Sequence, residues 1–259
     1  MLELCVGGID DVLLAAAAGV ARIELNSAIA LGGLTPSQSL MLEARSAFSG
    51  KIIAMVRPRE GDFNYSPAEI RLMLQDAELL VQQGADGIAI GFLNPDGSVN
   101  PAPCRQLRAL LPRTHLVFHR AIDVSVCLPT ALTQLIDLGF QTILTSGGCS
   151  TALAGAAMLQ QLQQQAAGRI RILPAGGIRA ANVAEVLQLT GCTEVHAAVR
   201  EITEPTPAAH HRNLHFGIPG QGPLSSGRTS HTALRTLLDA LHAAQLRHPN
   251  VSQNTPATP

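Results

Sequence analysis

Eight short apolar runs recur along the chain, and helix-like stretches or glycine turns separate each run from the next. The runs occupy residues 2–5, 22–25, 52–56, 87–90, 115–118, 142–145, 171–173 and 194–196. Short runs rich in Val, Ile and Leu are typical of strands buried on both faces, as in a parallel sheet covered by helices. Eight such units in 259 residues match the size of a (β/α)8 TIM barrel. The sequence therefore predicts an α/β fold with a single barrel domain.

The stretches between the runs support the same architecture. Helical patterns closed by glycine, a common helix terminator, occur at 67–83, 129–138, 151–165 and 181–189. No GxGxxG sequence follows the first run, which disfavours a doubly wound dinucleotide-binding sheet. Pro, Gly, Ser and His dominate residues 204–230, so we expect a long loop there on the active-site face. A last helix at 231–246 completes a domain spanning 1–248, and 249–259 is expected to be a disordered tail.

Composition excludes several classes of partner. The formal net charge is -1 and no basic cluster is present, so nothing attracts a nucleic-acid backbone or an anionic membrane surface. No apolar run approaches the roughly 20 residues that span a bilayer. Acidic residues directly before the apolar stretch 12–18 argue against a signal peptide. The five cysteines form no CxxC pair and are typical of reduced thiols, so we expect a cytoplasmic protein.

Strand alternation predicts which polar side chains enter the barrel. Successive side chains face opposite sides of a strand, and the outer face must be apolar to receive the helices. The inward set is then Glu3, Cys5, Glu24, Asn26, Arg57, His119, Glu194 and His196. Within it, the candidate catalytic acid/base residues are Glu3, Glu24, His119 and His196. A buried ionic network that fixes strand register is the alternative for each of them.

Arginines and glycines after several runs indicate a bound anion. Arg57 and Arg59 follow the third run and are candidates to clamp a carboxylate or phosphate through the planar guanidinium. Further candidate substrate-binding residues after the fifth, sixth and seventh runs are Arg120, Asp123, Ser146, Gly147, Gly176 and Gly177. Asp123 could instead hold an arginine, and the glycines could serve tight turns. Lys51 is the only lysine and precedes its run, so it lies at the opposite end of the barrel, which excludes Schiff-base chemistry.

Several long motifs occur in unbroken order over residues 1 to about 215. They are RIEL at 22–25, GGLTPS at 32–37, VRPREGDFNYS at 56–66, FHRAID at 118–123, ILTSGG at 143–148, PAGGI at 174–178 and EVH at 194–196. Through them the chain resembles the CutC family of copper homeostasis proteins. The resemblance implies a cytoplasmic TIM barrel, a homo-oligomer and a copper ion as partner, with Cu(I) bound by cysteines that end the first two strands.

The resemblance assigns the first of these ligands to Cys5, whereas the second position is Asn26 in this sequence. Cu(I) prefers thiolate or thioether ligands, so an amide there weakens a two-thiolate site. His196 is a candidate substitute, because the eighth strand of a barrel neighbours the first and imidazole binds copper. His210, His211 and His215 have no acidic or cysteine ligand beside them, and we expect them to be solvated.

Three functions stay open at this point. The first is a copper-homeostasis protein that binds copper. The second is a barrel enzyme of the lyase or isomerase type, which acts by acid/base chemistry on a small anionic or phosphorylated metabolite. The third is a catalytically silent scaffold whose oligomer surface matters. The residues alone do not decide whether the chain is an enzyme.

Overall fold

The computed structural model describes residues 1–203 and 226–247, which contain an eight-stranded parallel barrel. Its strands are β1 (Leu2–Val6), β2 (Arg22–Leu25), β3 (Lys51–Met55), β4 (Gly87–Ile90), β5 (His115–Phe118), β6 (Thr142–Thr145), β7 (Arg171–Pro174) and β8 (Val195–Ala197). The strand order is β7-β6-β5-β4-β3-β2-β1-β8, and the edges β7 and β8 meet to leave the barrel nearly closed. The predicted TIM-barrel fold is confirmed, and every predicted run coincides with a strand to within one residue at each end.

Helices connect the strands and cover the outside of the barrel. They are α1 (Ile9–Ala17), α2 (Gln38–Ala47), α3 (Pro67–Gln82), α4 (Pro101–Leu110), α5 (Leu128–Asp137), α6 (Ala156–Ala166), α7 (Val183–Thr190) and α8 (His231–Arg247). α3 begins sharply because Ser66 and Glu69 form a reciprocal capping box around Pro67. α6 begins later than the pattern predicts, since the residues before Ala156 form the turns that carry the loop after β6.

A hairpin follows the barrel, where the sequence predicts only a loop. Strand β9 (Arg200–Thr203) pairs antiparallel with β10 (Ser226–Thr229), so the prediction of a loop over 204–230 is wrong for residues 226–229. The remainder of that loop, 204–225, and the predicted tail, 249–259, lie outside the described residues. The buried carboxylate of Asp11 on α1 anchors the hairpin by accepting hydrogen bonds from the amides of Thr229 (2.7 Å) and Gly7 (2.9 Å).

The inside of the barrel is divided into an apolar and a polar sector. Strands β3 to β7 supply the apolar layer, which comprises Ile53, Met55, Ala89, Val117, Leu144, Leu173 and Ala175. Strands β8, β1 and β2 supply the polar sector, which comprises Glu3, Cys5, Arg22, Glu24, Asn26 and His196. Branched apolar side chains dominate the core of most barrels, so this concentration of buried ionisable groups on three adjacent strands is a candidate site. Within the described ranges, no helix is long and apolar enough to cross a membrane.

Candidate functional site

Strand register brings the polar sector together. In the parallel ladder Glu3 lies opposite Arg22 on one side and opposite His196 on the other, and Cys5 lies opposite Glu24. Side chains at paired positions share a face of the sheet, so all five enter the barrel. This is the direction predicted for Glu3, Cys5, Glu24 and His196. Glu3 and Glu24 are only 1% and 2% exposed. The structure therefore assembles Glu3, Cys5, Glu24 and His196 into one cluster.

A chain of charged contacts holds this cluster. Nδ1 of His196 lies 2.9 Å from Oε1 of Glu3, and the other oxygen of Glu3 accepts from Nε of Arg22 at 2.6 Å. Arg22 also donates to Glu194 at 2.7 Å. Sequence reasoning missed Arg22 as a site residue, although it has the same parity as Glu24 two residues later on β2. Its side chain neutralises Glu3, so this carboxylate can orient a histidine deep in the barrel.

Cys5, Glu24 and His196 present three different donor atoms to one space. The thiol sulfur, a carboxylate oxygen and an imidazole nitrogen all lie within 4.8 Å of one another. Nε2 of His196 is 3.8 Å from Oε2 of Glu24, and Oε1 of Glu24 is buried without a partner in the described part of the chain. Asn26 borders the space as a donor, since its Nδ2 lies 2.9 Å from Oε2 of Glu24 and 3.5 Å from Sγ of Cys5.

Ionisation differs between neighbours in the cluster. Burial acts to lower the pKa of His196, but the charge of Glu24 and contacts with Cys5 and Glu3 raise it well above its usual value. Burial acts to raise the pKa of Glu3, yet His196 and Arg22 bring it below the ordinary range. Burial raises the pKa of Glu24, with Glu3 adding to the effect, and burial raises the pKa of the Cys5 thiol. Both of the first two shifts have the direction expected for mutual stabilisation between the Glu3 carboxylate and the His196 ring.

Arg57 and Arg59 lie in the loop after β3, where protein groups already occupy much of each guanidinium. Arg57 donates through Nη1 to the carbonyls of Leu31 (2.9 Å) and Gly33 (3.3 Å), and through Nη2 to that of Gly61 (2.9 Å). Arg59 pairs with Asp62 and Glu69. Both arginines thus tie loops together, and among the described residues neither forms a hydrogen bond or ion pair with Cys5, Glu24 or His196.

His119 belongs to the same region of the mouth as Arg57. The His119 ring and the Arg57 guanidinium each lie 5.1 Å from the ring centre of Phe63. Nδ1 of His119 accepts from the amide of Ala121, and Nε2 is buried without a partner in the described residues. Burial, with the positive charge of Arg57, lowers the pKa of His119 to about 3, so its ring is neutral. Phe63 thus links His119 with Arg57 at the mouth, and in the described residues no hydrogen bond or ion pair joins either of them to Glu3, Cys5, Glu24 or His196.

The loop after β6 binds an anion that the protein itself supplies. The carboxylate of Asp123 accepts from the amides of Ser146 (3.0 Å) and Gly148 (3.1 Å), and from the hydroxyl of Thr145. Arg120 closes the arrangement, with Nε 2.8 Å from Asp123 and Nη2 2.9 Å from Oγ of Ser146. The amides of Ser146 and Gly148, in the loop that the sequence predicts to bind a substrate anion, thus donate to the side chain of Asp123 instead. The sequence contains a sign of this arrangement, because Asp123 follows Arg120 by three residues and side chains at that spacing can form an ion pair.

The predicted glycines lie around this loop. Gly147 donates its amide to Oγ1 of Thr145 (2.9 Å), inside the same turn. Gly176 and Gly177 follow β7, and a Cβ built on Gly176 would lie 3.4 Å from Nη1 of Arg120. Gly176 has a φ of 94°, a conformation that favours glycine. The predicted substrate-binding residues therefore form two groups at the mouth, one around Arg57 and one around Arg120.

The fold and the cluster define a TIM-barrel protein with thiol, imidazole and carboxylate donors inside the barrel. A family model described as the CutC family matches residues 1–201, and the chain belongs to this family. A family protein CutC from Treponema denticola is 43% identical over 217 residues, which cover 83% of this chain and 88% of the relative. The copper homeostasis protein cutC homolog of Homo sapiens is 38% identical over 200 residues, 77% of this chain and 73% of the relative.

Solved structures agree with this assignment. A crystal structure of CutC from Streptococcus agalactiae superposes with a TM-score of 0.72 at 30% identity, covering 76% of this chain and 97% of that one. A phosphoribosylanthranilate isomerase from Thermotoga maritima superposes with a TM-score of 0.56 at 11% identity, over 93% of this chain and 98% of that one. Such a distant likeness shows the shared barrel and nothing about activity.

Proposed function

We propose that this chain acts in copper homeostasis by holding a metal ion inside the barrel at Cys5, Glu24 and His196. The observation that carries the proposal is the meeting of three ligand types within 4.8 Å in the polar sector. Relatives from human and mouse bear the name copper homeostasis protein cutC homolog, which supports copper as the ion concerned. The sequence expectation of Cu(I) at Cys5 is part of this proposal.

The residues present fit a metal ion in two respects. Metal-binding histidines typically donate their second ring nitrogen to a carboxylate, and Glu3 holds Nδ1 of His196 in this way. Oε1 of Glu24 is a buried polar atom with no hydrogen-bond partner in the described part of the chain, and an ion would supply a bond to it. A copper ion there would be cargo or regulator: Cys5 and His196 would supply its softer donors and Glu24 a carboxylate oxygen, while Glu3 with Arg22 would orient His196.

Equilibrium metal binding tests the proposal. The reduced protein is titrated with Cu(I) against a competing chelator, and we expect one ion per chain, with binding lost in Cys5→Ser and His196→Gln. Cys149→Ser removes an exposed thiol and serves as the matched control. Unchanged binding in Cys5→Ser, or no stoichiometric binding in the wild type, would refute the proposal.

A second candidate is an enzyme that acts on a small anionic or phosphorylated metabolite. The observation that favours it is the pairing of a buried carboxyl of raised pKa, Glu24, with His196, which suits proton transfer. Arg120 supports anion binding, because its side chain is 44% exposed and Nη1 faces Gly176 at the mouth. Thermal-shift screening of phosphosugars and carboxylates tests this candidate. We expect at least one ligand to raise the melting temperature of the wild type by more than it raises that of Arg120→Gln. A screen that finds no such ligand would count against this candidate.

Location and assembly complete the proposal. The five cysteines are all free, as a reducing compartment requires, and we place the chain in the cytoplasm on that basis. The homo-oligomer expected from the family resemblance stays a prediction, which light scattering after size-exclusion chromatography checks.

A further inference from the structure

The donor set around Cys5 differs from the one that Cu(I) prefers. Cu(I) favours soft thiolate and thioether ligands, and Cys5 is the single sulfur in the cluster. The side chain that faces its sulfur at 3.5 Å is the amide of Asn26. We infer that the site is built for a divalent ion such as Zn(II), held by Cys5, His196 and Glu24, with Asn26 positioning the ligands. This inference rests on the proposed function, in that an ion must bind at this cluster.

Glu24 supplies a carboxylate oxygen, which is a harder donor than sulfur and suits Zn(II) better than Cu(I). Thiolate, imidazole and carboxylate are the three ligand types that hold Zn(II), at roughly 2.0–2.3 Å. Ligand atoms around such an ion lie about 3.5 Å apart in a tetrahedral arrangement, as those bond lengths require. Nε2 of His196 and Oε2 of Glu24 are already 3.8 Å apart. All three donor atoms lie within 4.8 Å of one another, so the cluster would contract to bring them to this spacing around an ion.

Buried charge favours a divalent ion as well. Arg22 already pairs with Glu3, so the negative ligands left to an ion are the Cys5 thiolate and the Glu24 carboxylate. An ion of charge +2 neutralises both, whereas Cu(I) leaves one negative charge among residues that are at least nine-tenths buried. Burying an uncompensated charge is costly, so the pocket favours the divalent ion.

Asn26 acts as a positioning residue in this arrangement. Its Nδ2 has three acceptors: Sγ of Cys5, Oε2 of Glu24, and the main-chain carbonyl of Glu24 at 3.2 Å. Its Oδ1 faces Gly33, where an added Cβ would collide with it. The amide therefore turns its N–H groups to the site and its oxygen away. A cysteine at position 26 would instead bring a second sulfur beside Cys5.

The experiment measures Zn(II) and Cu(I) affinities by competition with chelators. It uses the full-length reduced chain carrying Cys127→Ser and Cys149→Ser, which removes the two exposed thiols. Glu24→Gln keeps the shape of the side chain and removes its charge. We expect it to weaken Zn(II) binding by about tenfold or more, the scale on which metal-site residues act, and to leave Cu(I) affinity within a small factor. Asn26→Cys is expected to raise Cu(I) affinity by about tenfold or more by adding a thiolate.

The outcomes separate this inference from the proposed function. If Cu(I) binds through Cys5 and His196 while Zn(II) does not bind, the proposed function stands and the divalent assignment is overturned. If neither ion binds, both are overturned. Equal loss of both ions in Glu24→Gln overturns the inference, as does an unchanged Cu(I) affinity in Asn26→Cys. If circular dichroism shows that Glu24→Gln does not fold, the Cu(I) affinity of Asn26→Cys alone tests the inference.

Discussion

Glu3 and His196 face each other across the junction of β1 and β8, with Nδ1 of the imidazole 2.9 Å from Oε1 of the carboxylate. The same carboxylate binds Arg22 at 2.6 Å through its other oxygen. One buried acid thus compensates two cations, and its removal takes from His196 its 2.9 Å partner and leaves Arg22 with Glu194 as its acidic partner. The contact also directs Nε2 of His196 towards Glu24 and Cys5, where an ion can reach it.

Glu3→Gln should therefore lower the free energy of unfolding by about 3–5 kcal/mol, the usual cost of removing one partner from a buried ion pair. Denaturant unfolding followed by circular dichroism measures this. Glu201→Gln is the control, because Glu201 is exposed and lies 3.5 Å from Arg228 across the hairpin. A surface pair of this kind contributes roughly 0–1 kcal/mol. Equal effects of the two substitutions would show that Glu3 does not hold the cluster.

Asp123→Asn should destabilise the loop after β6. The carboxylate accepts from two amides, two hydroxyls and Arg120, and an asparagine oxygen replaces only part of this set. We expect a loss of about 3 kcal/mol, since one hydrogen bond to a charged group contributes roughly 1.5–3 kcal/mol. The melting temperature measures the change, and the exposed Asp62→Asn is the control. If Asp123→Asn matches the wild type, the carboxylate is not the anion that orders this loop.

Arg57→Lys tests whether Arg57 ties loops together. A lysine has one compact ammonium, so it cannot reach the carbonyls of Leu31, Gly33 and Gly61 together. We expect a loss of about 2 kcal/mol, the scale of one or two unsatisfied buried polar groups. Thermal denaturation in phosphate-free buffer measures it. A variant as stable as the wild type, but with weakened binding of small anions, would instead support the predicted anion clamp.

His119 should make the free energy of unfolding depend on pH. Its pKa in the fold is about 3, below the ordinary 6.5, so the unfolded chain binds the extra proton. Stability from this group is therefore present above pH 6.5 and is lost as pH falls from 6.5 towards 3. Between pH 6.5 and pH 5 the loss is about 2 kcal/mol, at 1.36 kcal/mol per pH unit.

Denaturant unfolding at several pH values checks this for the wild type and for His119→Asn, whose side-chain oxygen can accept from the amide of Ala121 as Nδ1 does. The variant should lose about 2 kcal/mol less than the wild type over the same interval. Parallel curves for the two proteins would mean that His119 takes up its proton in the folded state.

The barrel could be predicted from sequence because its signals are local. Each strand is a short apolar run and each connection contains a helical pattern, so eight units could be counted directly. The inward directions of Glu3, Glu24 and His196 followed from alternation along single strands, because a one-residue shift would have turned all of them outward. Cys5 and His196 meet because β8 pairs with β1, which barrel closure dictates.

Other parts of the site could not be predicted, because they depend on contacts between distant loops. Arg57 lies at the end of a strand as a clamping arginine would, and only the fold shows the loop carbonyls that it binds. The amides after β6 match a phosphate site in sequence, yet Asp123, more than 20 residues earlier, fills them. The hairpin of β9 and β10 joins segments separated by a stretch with no strand pattern, so local periodicity gave no sign of it.

Cobalt absorption tests most directly whether a divalent ion binds inside the barrel through Cys5. Co(II) substitutes for Zn(II) in such sites, and a thiolate ligand gives it an intense near-ultraviolet charge-transfer band. The measurement uses reduced protein carrying Cys127→Ser and Cys149→Ser, so that the exposed thiols do not contribute. We expect a band that saturates at one Co(II) per chain and disappears when Cys5→Ser is added. No band, or a band that survives Cys5→Ser, would contradict binding of a divalent ion through Cys5.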